Sequence, residues 1–138
     1  MTVAVVTDRD GVPLAFAADG ADVSEVWLAE PAVAAVEVRV AWGTPLLADR
    51  GFDSDGLRDD LAGRGYRLVA RHRRNRVKAG RNDGRTLRRL SRRWRVERTN
   101  AWLKTYRRAG VRDERHPHLH EGFISLAFAF IALNRLLK

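Results

Sequence analysis

Hydrophobic and polar positions along the chain switch between two periods, and the switches predict the elements. Residues 3–7 (VAVVT) form a β-branched run that reads as a buried strand. Asp10-Gly11 is a hairpin dipeptide, and residues 14–18 supply the returning strand. Asp22-x-x-Glu25 has the spacing of a capping box for a helix through Trp27 and Leu28. Pro31 must kink that helix or start a second one, and residues 32–39 continue the helical register. Residues 45–48 are a short apolar strand ending at Asp49, and Asp53 or Ser54 caps a helix running to about Gly63. Residues 66–71 alternate as a strand, and 72–85 form a basic, glycine-containing loop without periodicity. Residues 91–108 contain no Gly or Pro and predict one long helix; a last apolar helix follows Pro117, over 118–137. The order β, β, α, β, α, β, α, α is that of an α/β domain.

The long helix has two faces. At about 100° per residue, Leu90, Arg93, Glu97, Lys104 and Arg108 fall in one narrow wedge. Val96, Trp102, Leu103, Tyr106 and Ala109 collect opposite, a greasy face suited to lie on a sheet. A lone carboxylate, Glu97, stands among cations. It reads either as an i,i+4 partner of Arg93, which contributes only a few tenths of a kcal/mol, or as a metal ligand on a nucleic-acid-facing helix. Asp49 likewise reads either as an ordinary turn residue or as a ligand at the edge where a buried strand ends. Carboxylates are the right ligands for Mg²⁺ or Mn²⁺, and two-metal phosphodiester chemistry needs them to converge from separate elements. Asp53 and Asp55 are expected to cap and solvate, and Asp8 and Asp10 to serve their turn. The His116-Pro117-His118-x-His120 stretch reads as a helix entry rather than a metal site. Trp102 is expected in the core, and Trp94 beside Glu97 as a platform for a base.

Composition narrows this reading. With 138 residues and 45% hydrophobic content the chain makes one globular domain. It has no cysteine, which excludes disulfides and zinc–thiolate sites. The start lacks the basic segment of a signal peptide. The longest apolar run, residues 122–133, falls short of the ~20 residues that span a bilayer, so no membrane is expected. The net charge of +9 hides a division: residues 1–60 balance at −8 and residues 61–138 at +17. The basic half points to a polyanion. Arg71, Arg73, Arg74, Arg76, Lys78 and Arg81 are expected to form a mobile electrostatic funnel for DNA, with Arg93, Lys104 and Arg108 on the Glu97 face.

Arg93-x3-Glu97-x6-Lys104 resembles the Tyr-x2-Arg-x3-Glu-x6-Lys signature of bacterial insertion-sequence DDE transposases, in the branch of the insertion-sequence-four and -five groups. Leu90 stands at the Tyr position. LLADRGFDSDGLRDDL resembles the second-Asp block of that family, with Asp49 as its acid. The resemblance implies an RNase H-like fold, a mixed sheet flanked by helices. It implies Asp49 and Glu97 as catalytic metal ligands, Mg²⁺ (or Mn²⁺) as cofactor, DNA as partner, and a bacterial, nucleoid-associated, cytoplasmic location. Against that fold the chain lacks the first, central strand and its Asp. The expectation is therefore a truncated catalytic domain, inactive alone. Either an upstream fragment supplies the missing acid or the gene is a decayed remnant. A homo-oligomer is compatible with the reading. The alternative is a nucleic-acid-binding module without chemistry.

Overall fold

The computed structural model describes residues 1–111 and 115–137. β1 (Thr2–Thr7) and β2 (Pro13–Asp19) form an antiparallel hairpin, with a register shift at Val6/Thr7. Its turn is built by Asp8, whose Oδ1 accepts the N–H groups of Asp10 and Val12, both at 2.8 Å. Gly11 takes φ +81, and a Cβ there would stand 3.1 Å from both the Arg95 carbonyl and Thr99 Oγ1, so the turn needs glycine twice over.

α1 (Glu25–Ala34) packs on this hairpin. Its N-cap is Ser24, without a side-chain bond, so the capping box expected from Asp22 and Glu25 does not form. Pro31 is carried inside the helix, which ends at Ala34 instead of continuing to residue 39. The reason lies in the next residues, VEVRV, whose alternating β-branched side chains have poor helix propensity.

β3 (Thr44–Leu47) and β4 (Tyr66–Val69) pair in parallel and are linked by α2 (Asp55–Gly63), a βαβ crossover. Ser54 caps α2, accepting the Leu57 N–H at 3.4 Å. β3 has the expected length, shifted by one residue, and β4 stops two residues short of the expected end at Arg71. Gly65, at φ +85, lets Trp42 lie against the backbone where a Cβ would collide at 2.7 Å.

The remainder is helical. α3 (Gly84–Leu87) and a 3-10 turn lead into α4 (Trp94–Thr105). The single helix expected over 91–108 is broken at Tyr106, whose ψ of 97 is extended; α5 (Arg107–Gly110) follows in a new direction. Tyr106 leaves the helix to stack on Phe130, ring centroids 6.2 Å apart, and Gly110 comes back against the Lys104 backbone. α6 (Pro117–Leu136) starts with proline at its first turn. At 20 residues it is long and apolar enough to cross a membrane by length and composition alone, longer than the 122–133 run suggests. One stripe of it is buried in the domain: Ile124, Ala127 and Phe128 meet Leu103 and Ala109, with Val3, Val5 and Phe16 of the hairpin around them.

The two sheets do not join. β1 and β3 are not hydrogen-bonded to each other, and a cavity of about 260 Å³ lies between them. Its walls are residues 3–7 of β1 and Leu46 and Leu47 of β3 with Ala48 after them, and Ala32, Val33, Leu61 and Leu68 line it further. Asp49, Arg93 and Glu97 line the same space.

Candidate metal and nucleic-acid site

Asp49 follows the last residues of β3 and caps the 3-10 turn Arg50–Phe52, accepting the Arg50 N–H at 2.6 Å. The same Oδ1 accepts from Arg93 Nη1 at 2.6 Å, 44 positions away in sequence. Arg93 sits immediately before α4 and reaches forward one turn: Nη2 donates to Glu97 Oε1 at 2.8 Å and Nε to the same oxygen at 3.3 Å. One guanidinium thus bridges the two acids. The i,i+4 pair expected as the plain reading of Glu97 exists, and its arginine is anchored on the other acid.

The two acids are open to solvent, with the Asp49 and Glu97 side chains 64% and 59% exposed, and Arg93 between them is partly buried. The Arg50 amide, aided by the Arg93 guanidinium, holds the Asp49 carboxyl below its ordinary range although burial pushes it up. Glu97 and then Asp49 raise Arg93 further above its ordinary value. Two oxygen donors from separate elements suit a hard divalent cation, and the space between them is already occupied by positive charge. Among the described residues no group of three His, Cys, Asp or Glu converges, so these two acids are a partial ligand set.

A cleft of about 1000 Å³ opens over this pair, lined by Arg50, Arg71, Arg88, Arg93 and Trp94 around the acids. Trp94 is half exposed, with the Arg98 guanidinium 4.8 Å and that of Arg95 5.7 Å from its ring centroid. Trp102, expected in the core, lies instead between the guanidinium groups of Arg98 and Arg135, at 4.7 and 5.3 Å. The buried positions on α4 are Leu103 and Thr99, and the Thr99 hydroxyl donates to the Gly11 carbonyl. Lys104 lies two turns beyond Glu97, ~10 Å along the axis, and does not line the cleft. Arg108 is carried away by the break at Tyr106; its guanidinium sits 5.0 Å over the Phe123 ring.

The basic loop is not the free funnel its composition suggests. Asp53, with a side chain only 1% exposed, accepts from Arg58 Nη2 at 2.9 Å, the Arg73 N–H at 2.8 Å and Arg76 Nη1 at 3.3 Å, and meets His72 Nδ1 at 3.0 Å. Arg76 also grips Asp55 at 2.8 and 3.0 Å and the carbonyls of Lys78 and Ala79. Arg81 pairs with Asp59 at 2.8 Å. Asp53 and Asp55 therefore knot the loop to α2 instead of merely capping and solvating. Burial pushes the Asp53 carboxyl up, but Arg58, the Arg73 amide and His72 overcome it and hold it far below the carboxylate range. Sequence reasoning missed Arg58, which is buried and also donates to the carbonyls of Leu68 and Ala70. Its placement beside Leu57 and Leu61 on the apolar side of α2 was the available signal. Arg76 and Arg81 are thus committed to acids. Arg71, Arg74 and Lys78 remain exposed, and Arg73 donates its side chain to the Gly51 carbonyl beside the Asp49 turn.

The fold and this acid–arginine–acid cluster define a mixed α/β domain with a basic cleft over a carboxylate pair. The family model for the transposase DDE domain matches residues 1–134, and the chain belongs to that family. It is 37% identical over 139 residues to a putative transposase for insertion sequence element IS402 from Burkholderia cepacia, covering 96% of this chain. The chain spans 62% of that relative's length. No solved structure matches.

Proposed function

We propose that the chain is the C-terminal part of the catalytic domain of an insertion-sequence transposase with an RNase H-like fold. The observation that carries this is the Arg93 bridge, which brings Asp49 and Glu97 together beneath a basic cleft. Asp49 and Glu97 would hold a divalent cation, Mg²⁺ or Mn²⁺, whose chemistry is to activate the attacking oxygen and stabilise the leaving oxygen of a phosphodiester. Arg93 positions both acids and, once released from them, faces the phosphate backbone. Arg71, Arg73, Arg74 and Lys78 extend that electrostatic surface. Arg76 supports it from behind by ordering the loop. Lys104 and Arg108, off the cleft, would contact only DNA that continues over α4 and α5.

The third acid belongs to a segment outside this chain, as the greater length of the relative allows. The gap between β1 and β3, with Asp49 at one end, is the natural place for a strand bearing it. On this reading the chain alone binds DNA and does not cut it, and the protein works in the bacterial cytoplasm on DNA.

The test is a nicking and strand-transfer assay with Mg²⁺ and Mn²⁺, on the purified chain with and without the upstream segment. Activity is expected only with both present, and Glu97→Gln should abolish it. Activity of the chain alone, lost in Glu97→Gln, would show that the third acid has been misplaced. No activity in either arm, with DNA binding intact, would favour a binding module without chemistry.

A further inference from the structure

Among the described residues, nothing covers most of the outer face of α6. Leu119, Phe123, Leu126, Phe130, Leu133 and Leu137 recur at alternating four- and three-residue steps. At 100° per residue they occupy an arc of only ~80°. Leu119, Leu126, Phe130 and Leu133 are each about half exposed, and Leu137 is 76% exposed. Phe123 and Phe130 are partly covered at one side, by Arg108 and Tyr106. The stripe that packs into the domain, Ile124, Ala127, Phe128 and Ile131, is centred roughly 120° away. This is the spacing of a coiled-coil seam rather than of scattered surface leucines.

We propose that this seam pairs antiparallel with the same seam of a second copy of the chain. The spacing is its own complement. A twofold axis beside residue 128 sets Leu119 against the partner's Leu137, Phe123 against its Leu133, and Leu126 against its Phe130, with no apolar position left over. That is the isologous geometry of a closed dimer. The electrostatics agree. The only charged residues within α6 are Glu121 and Arg135. Both fall on the far side of the helix from the seam, ~160–200° around from Leu119 by the same angle. The six seam side chains therefore carry no charge of their own, the Arg108 guanidinium over the edge of Phe123 being the cation beside them, and antiparallel packing sets opposite helix dipoles side by side. Arg135 is also held within its own chain, donating to the Asp10 carbonyl. This pairing depends on α6 alone and not on the proposed DNA chemistry.

The experiment is sedimentation equilibrium of the full chain at micromolar concentration. The expected result is a dimer of twice the chain mass. Leu126→Glu and Phe130→Lys should each give monomers with unchanged helical circular dichroism. Mixing the two single variants should restore a dimer, because Glu at 126 then faces Lys at 130 across the axis. Monomeric wild type would overturn the proposal. So would a dimer indifferent to both substitutions, or singles that do not recover on mixing. A monomer that floats with phosphatidylcholine vesicles through the same residues would assign the seam to a lipid surface instead.

Discussion

Two clusters in which arginine meets aspartate, one around Asp53 and one around Asp49, are built to opposite ends. Around Asp53 the acid is buried, four groups converge on it, and two elements and a loop are tied together. Around Asp49 the acid is open to water, and one arginine shares itself between two carboxylates. A buried ion pair is hard to exchange, because removing either partner strands a charge in low dielectric. An exposed one is held weakly and can be traded for another cation at little cost. The contrast separates a residue that shapes the site from residues that can act in it, although both are Asp near an Arg.

The largest effect should come from the buried cluster. Asp53→Asn leaves Arg58 without its carboxylate and should lower unfolding free energy by about 3–5 kcal/mol, read by denaturant titration. A decrease under about 1 kcal/mol would erase the distinction between the two clusters.

The same carboxyl should set the acid limit. Its folded pKa is depressed, so the unfolded chain binds the proton more readily. The stability it contributes is complete above the unfolded value of ~3.9 and declines as pH falls below it. Thermal melts across the acid range should show that decline, and Asp53→Asn should flatten it.

DNA binding divides the loop arginines next. Arg71→Glu and Arg74→Glu should weaken binding for all sequences and flatten the log–log salt slope by about 0.9 for each duplex phosphate no longer neutralised. Arg76→Gln should chiefly lower stability, because its guanidinium is engaged by Asp55 and Asp53. Equal slopes for all three would return Arg76 to the DNA-facing set.

The smallest effect on stability belongs to the proposed ligands. Asp49→Asn and Glu97→Gln each remove one exposed ion pair with Arg93 and should shift stability by under about 1 kcal/mol. A drop of several kcal/mol in either variant would mark the pair as scaffold.

What the sequence alone determined is what a few neighbouring residues can determine. The hairpin at Asp10-Gly11, the crossover from β3 to β4, the capped start of α2, the acid after β3 and the acid one turn into α4 follow from period, turn chemistry and motif spacing. So does the division of charge, since charge is additive along a chain. Tertiary structure decided the rest. Helix propensity carried the pattern straight through Tyr106, but a stacking partner on α6 breaks the helix there and removes Arg108 from the Glu97 face. Composition marked Arg76 as free cation, but Asp53 and Asp55, more than 20 positions earlier, claim it. The pairing of Arg93 with both acids was visible only by half. Its link to Glu97 is local, one helical turn away. Its link to Asp49 spans 44 positions and exists because two sheets that do not join leave a space into which α4 brings its first turn. Periodicity reports which face of an element is buried; it carries no information about which distant side chain will meet that face.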